Sequence, residues 1–140
     1  GLAAAAAALV LVVVVGAVAL ARDGDDDGGS VVASAELEPL PDEPTGAASP
    51  TRADLVDHDG RLQLDLSTGD LPDADGFYEV WLIDTNVDGM VSLGPARADG
   101  TYSVPSGVDP AQFPIVDVSI EPPDGDPTHS GVSVLRGTLA

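Results

Sequence analysis

Residues 61–67 read RLQLDLS, and the alternation is strict: Leu62, Leu64 and Leu66 point one way, Gln63 and Asp65 the other. A period of two marks a half-buried strand and does not fit a helix, whose apolar positions recur every three or four residues. Similar strands are expected at TRADLVDH, FYEVWLID, GMVSLG, GTYSVP, FPIVDVSIE and SVLRGTL, separated by the turn clusters HDG, TGDLPDADG, ADG and PPDGDPTHSG. No amphipathic helical pattern competes with them. About seven short strands at this spacing predict an all-β domain over residues 51–140, an antiparallel β-sandwich or partly open barrel able to fold alone. In FYEVWLID, Phe77, Glu79, Trp81 and Ile83 share one face and Tyr78, Val80 and Leu82 the other. Apolar groups on both faces make this a central strand, with Trp81 as the core anchor and Glu79 the exception, at a rim or hydrogen-bonded.

What precedes the domain is of another kind. From Leu2 to Ala21 the chain carries no charge, and as a helix it would be about 30 Å long, the thickness of a bilayer's hydrocarbon core. A membrane span is expected over residues 2–21. The rival is a signal peptide, for which Ala17-Val18-Ala19 and Ala19-Leu20-Ala21 fit a cleavage site, but a signal core is shorter, about 7 to 15 residues. A buried core helix fits less well, because so small a domain has little with which to cover a helix apolar on every side. Residues 22–50, RDGDDDGGSVVASAELEPLPDEPTGAASP, read as a flexible acidic tether rich in Pro and Gly, whose apolar patch SVVASAEL offers a first strand. Nothing beyond the span is basic enough for a cytoplasmic loop, so the C-terminal side is expected outside the cell. With Gly1 in place of an initiator Met, a piece of a longer protein is expected.

The 140 residues carry a net charge of −19, with no Cys and five basic residues, all Arg. Such a chain repels phosphate backbones, so nucleic acid is not expected as a partner. Without Cys there is no disulfide, thiolate zinc site or lipidated cysteine. In DTNVDG, Asp84, Asn86, Asp88 and Gly89 match the first half of a helix-flanked calcium loop, but the twelfth position, where a bidentate Glu belongs, is Pro95. The same half motif recurs at Asp23, Asp25, Asp27 and Gly28 with Ser34 twelfth, so it is weak in so Asp-rich a chain. A hairpin turn explains DTNVDG more simply. His129 and Ser130, with Asp124 and Asp126 nearby, contain the residue types of a hydrolytic triad, yet they lie in a Pro-Gly-rich turn without a nucleophile elbow. His58, between Asp57 and Asp59, has no second His nearby to make a zinc site and reads as a turn residue before Gly60. No glycine loop has phosphate-cradling spacing, and no metal, cofactor or catalytic site is expected.

Three words in order carry a resemblance: YEVWLID, MVSLG, and VDVSIEPPDGDPTHSGVSVLRGTL from Val116 to Leu139. Together they resemble the C-terminal domain of actinobacterial anti-sigma-K factors. The matching positions are Tyr78, Glu79, Trp81, Leu82, Ile83 and Asp84; Ser92, Leu93 and Gly94; Glu121, Pro122, Gly125 and Pro127; and Val134, Leu135 and Gly137. On a physical reading these are core and turn positions, signatures of a fold more than of a ligand site. The resemblance implies a single-span membrane regulator whose cytoplasmic N-terminal domain, absent from this sequence, holds a sigma factor inactive. It also implies release by two successive cuts, one by a site-1 protease outside the membrane and one by an intramembrane protease. The tether offers the first substrate. In the span, Val12 to Val15 and Gly16 are weaker helix formers than the preceding Ala run, which makes Val15 and Gly16 the candidate region of the second cut. The alternative is a membrane-tethered adhesion or ligand-binding module using calcium at Asp84, Asn86 and Asp88; a secreted hydrolase built on His129 and Ser130 ranks last.

Overall fold

The computed structural model describes residues 28–41 and 51–140. They form eight strands: β1 (Ser30–Pro39), β2 (Thr51–His58), β3 (Arg61–Ser67), β4 (Phe77–Ile83), β5 (Met90–Pro95), β6 (Asp99–Ser103), β7 (Ile115–Glu121) and β8 (Ser133–Thr138). All neighbours are antiparallel, in the order β5-β4-β7-β8-β1-β2-β3-β6. The outermost strands, β5 and β6, are consecutive in sequence. Where they join, Tyr102 Oη donates to Pro95 O at 3.2 Å and accepts from the Arg97 N–H at 2.9 Å. That corner curls the sheet into a nearly closed barrel, the partly open barrel of the two expected architectures.

The seven strands read from the sequence are present as β2 to β8. The eighth is β1, in the middle of the stretch expected to be a flexible linker. In the surrounding run of Asp, Gly and Pro its signal is faint, but Ala33, Ala35 and Leu37 alternate toward the core. The strand lies close to β8: a Cβ added at Gly137 would come within 2.2 Å of the Glu36 carbonyl oxygen. β1 pairs with β2 from Ser30↔Asp57 to Leu37↔Thr51, then with β8 at Glu38↔Arg136 and Pro39↔Leu135. The barrel therefore begins at β1, not at residue 51. The expected span over residues 2–21, with Val15 and Gly16, and the expected tether at 22–27 and 42–50 lie outside the described residues. Among the described residues no helix is long and apolar enough to cross a membrane.

The sequence's turn signals act locally as expected. Between His58 and Arg61 the two-residue turn Asp59-Gly60 has φ of 55° and 83°, the left-handed pair that matches strand twist and that Asp-Gly tolerates. At the β4–β5 turn the left-handed position falls instead on Val87, at φ 60°, an uncommon place for a β-branched side chain.

The core fills the barrel with alternate residues of every long strand, among them Leu55, Leu64, Val80, Leu82, Val118 and Leu135. Tyr78 packs against this cluster and donates its hydroxyl to Pro72 O at 2.8 Å. Burial, with Asp73 nearby, pushes its phenol up from the usual range. Trp81 departs from the expectation that it anchors the core. It is buried but stands outside the cluster, on the opposite face of β4 from Val80 and Leu82.

Removing residues 28–50 strips β1 from between β2 and β8, so a chain of residues 51–140 is expected to lose cooperative unfolding while one of residues 28–140 keeps it. Denaturant unfolding followed by Trp81 fluorescence checks this; equal midpoints for the two chains would contradict the role given to β1.

Candidate functional site

On β7, Asp117, Ser119 and Glu121 occupy alternate positions and so share one face, with Val116, Val118 and Ile120 on the other. By pattern that polar row belongs in water, yet Asp117 and Ser119 are fully buried and Glu121 is 3% exposed. Two features cover it. Trp81 sits directly opposite Asp117 in the β4–β7 register, and the β7–β8 connection, residues 122–132, folds back over the row.

Each buried polar group finds a partner within this assembly. The Trp81 indole N–H donates to Ser119 Oγ at 2.8 Å, and that hydroxyl donates to Glu121 Oε1. The other Glu121 oxygen accepts the backbone N–H of Ser130 at 2.9 Å. Asp117 Oδ1 accepts from Arg136 Nε at 2.7 Å, while Oδ2 accepts from Ser133 Oγ and from His129 Nε2, both at 2.9 Å. The His129 imidazole is 4% exposed and lies against Trp81, ring centroids 4.9 Å apart and planes inclined at 53°.

The hydrogen bonds define the tautomer of His129. Its Nδ1 receives the Gly131 backbone N–H at 2.9 Å, so it carries no proton. Nε2 faces a carboxylate oxygen and therefore carries the proton. The ring is neutral and both nitrogens are engaged. Ser130 is engaged as well: its hydroxyl donates to Ile120 O at 2.7 Å and accepts from the Val132 N–H at 3.1 Å. The triad reading needs a His nitrogen free to accept a Ser proton, and this geometry supplies none. Asp124 and Asp126 accept backbone N–H groups of the loop itself, from Asp126 and Thr128, both at 2.9 Å. The Thr128 N–H, and then its hydroxyl, hold the Asp126 carboxyl below the usual range.

The expected signature residues divide between three places. Trp81 and Glu121 enter the buried network. Leu82, Val134 and Leu135 are buried in the core, Leu93 packs against it, and Ile83 is buried outside it. The rest shape backbone or turns. Glu79 accepts a hydrogen bond from Ser92 Oγ, the partner expected for this polar exception. Gly94 has φ 117° at the β4–β5 register shift, and Gly125 has φ 79° in the loop. Pro122 and Pro127 are exposed in that loop, and Gly137 admits β1. Sequence reasoning missed Asp117, Ser119, Ser133 and Arg136. The one available signal was that the polar row of β7 leads directly into an 11-residue loop, 122–132, carrying the His.

Asp84 closes the β4–β5 hairpin. Its Oδ1 accepts the Asp88 N–H at 2.9 Å and its own N–H donates to Gly89 O at 2.9 Å. The Asp88 N–H, first among several backbone donors, holds the carboxyl below its usual range. Pro95, the twelfth position of the calcium pattern, lies on β5 opposite Glu79. His58 pairs with Arg61 at the β2–β3 turn and borders an open groove of about 980 Å³ with Ser103 to Val108. That groove is at the other end of β1 from the buried network, since β1 begins beside His58 and ends beside Val134.

Fold and site together define a small, acidic, antiparallel β-barrel domain in which a buried polar network clamps one long loop to the outside of the sheet. The chain belongs to the family of anti-sigma-K factor C-terminal domains: the family model "Anti-sigma-K factor rskA, C-terminal" matches residues 2–133, nearly all of it. The match takes in the uncharged run and every described strand but β8, of which it reaches only Ser133. No curated protein and no solved structure matches the chain.

Trp81→Ala is expected to destabilise the domain by about 3 to 5 kcal/mol, the range for truncating a buried aromatic. Trp81→Phe keeps most of the packing but leaves Ser119 without its donor, at about 1 to 3 kcal/mol. Arg136→Met leaves Asp117 buried without its cation; with Arg136 29% exposed, the loss should fall at the lower end of about 3 to 5 kcal/mol. Urea unfolding measures all three, and losses below about 0.5 kcal/mol would mean that the network contributes nothing. Calcium at millimolar concentration is expected to leave the melting temperature unchanged, because the turn satisfies Asp84 internally; a stoichiometric calorimetric signal abolished by Asp84→Ala would contradict this.

Proposed function

We propose that this β-barrel is the extracytoplasmic regulatory domain of a membrane-anchored anti-sigma factor. The observation that carries the reading is the extent of the family match, residues 2–133, which takes in both the uncharged residues 2–21 and most of the barrel. An apolar stretch of that length suits a single membrane span. The acidic surface beyond it suits the outer side, where no positive-inside constraint applies. The sigma factor is held by a separate domain on the cytoplasmic side, and no residue of this chain is assigned to that contact.

The barrel's part in regulation is to keep the anchor uncut until a signal arrives. Shedding it leaves a short stub, and the span is then opened and cut near Val15 and Gly16, releasing the cytoplasmic partner. The clamped loop 122–132 supports this reading as a fixed outer element rather than a catalytic one, since its His, Ser and carboxylates are each engaged by β7 or by the loop's own backbone. The adhesion-module reading has no comparable support: the Asp84 turn holds its own oxygens, and the groove beside His58 has no buried polar side chain among its lining.

The absence of cysteine gives a direct test of sidedness. A single Ser106→Cys, on an exposed turn, is expected to react with a membrane-impermeant thiol reagent in intact cells. Labelling only after permeabilisation would place the barrel inside and end the proposal.

A further inference from the structure

Two stretches flank β1: the residues before Ser30, and the connection from β1 to β2. By sequence both are rich in Asp, Gly or Pro, and both offer peptide bonds to a protease. The fold makes them unequal. A cut before Ser30 separates the whole barrel from everything N-terminal to it. A cut at 42–50 puts β1 on the anchored piece and β2 to β8 on the other.

Those two pieces are bound along both edges of β1. On one side the ladder to β2 runs from Ser30↔Asp57 to Leu37↔Thr51, reinforced where Ser34 Oγ donates to Asp54 at 2.6 Å. On the other, Ser34 and Ala140 exchange two backbone bonds of 3.0 Å, Glu38 and Pro39 pair with Arg136 and Leu135, and the Leu40 N–H donates to Val134 O at 3.0 Å. Ala35 and Leu37 are buried in the common core. Cutting the connection alters the entropy of tethering and leaves each of these contacts in place. For β1 to leave, the sheet must open at a strand hydrogen-bonded on both sides, a sub-global unfolding event rather than the fraying of an edge.

Resting on the reading of a tethered domain shed by proteolysis, we propose that a cut between β1 and β2 does not shed the domain, because β1 holds the barrel on its anchor. The chemistry is peptide hydrolysis by an extracytoplasmic protease: water adds across one C–N bond, giving a carboxylate and an amine. A nick in the β1–β2 connection is thereby silent.

The test uses the full chain with an N-terminal affinity tag and a recognition sequence for a site-specific protease, placed either between Arg22 and Gly28 or between Glu43 and Ala48. After the first cut the barrel is expected in the unbound fraction. After the second, the C-terminal piece is expected to stay with the tag in native buffer and to leave it in denaturant. Release of that piece in native buffer would overturn the proposal. Where an inserted sequence prevents folding, a tagged chain of residues 1–46 co-expressed with residues 47–140 serves instead, and failure of the first to capture the second overturns it equally. Gly137→Val, which crowds the Glu36 carbonyl, is expected to lower retention after the second cut; unchanged retention would show that the β1–β8 contact does not hold the pieces. In cells, no naturally shed product is expected to begin within 42–50, and one that does would refute the proposal. Tag capture needs neither a membrane nor a sigma factor, so it can succeed where the thiol labelling fails, and the reverse.

Discussion

The pairing of β1 with both β2 and β8 is the constraint on which the rest of the barrel depends. Without it the sheet would consist of two halves, β6-β3-β2 on one side and β8-β7-β4-β5 on the other, with the facing edges of β2 and β8 left unpaired. β1 bridges them because it changes neighbours along its length, with a register shift between Val31 and Ala33 on the β2 side and a close approach to Gly137 on the β8 side. Of its inward residues only Leu37 is large, and its main contribution is to supply hydrogen-bond partners to two strands whose edges would otherwise face solvent.

The second organising element is the network around Asp117. A buried carboxylate is costly unless its oxygens are satisfied, and Asp117 meets three donors from β8 and the loop. The loop therefore does not simply drape over the sheet. It delivers His129 as a neutral donor to Asp117 and the Ser130 N–H to Glu121, and Trp81 supplies the indole that seals the row. Such a network is sensitive to every member, because removing one leaves a buried group unsatisfied. This sensitivity gives Trp81 and Glu121 a structural role within the network.

On the proposed reading, a regulator released by proteolysis needs a domain that resists cutting and an adjoining stretch that does not. The barrel fastens its 11-residue β7–β8 connection to β7 through His129, Ser130 and Val132 and places β1 inside the sheet, hydrogen-bonded on both edges.

Much of the fold was legible locally. Period-two alternation located β2 to β8, and Asp-Gly and Asp-Asn clusters located their turns, because strand faces and left-handed backbone positions are set by neighbouring residues. The apolar run and the three family words were equally visible in one dimension. Pairing across long sequence separations was not. SVVASAEL offers a first strand within a tether, but its place between β2 and β8 shows only when β8, nearly a hundred residues later, lies beside it. Trp81 could be called buried from its strand, but which face buried it depended on where the 122–132 loop went. VDVSIE alternates as a solvent-facing strand would, and only the returning loop turns Asp117, Ser119 and Glu121 from surface into interior. The sequence by itself determined which segments are strands and which way each residue points along them; the tertiary structure alone decided what each face meets, because burial depends on chain brought from far away.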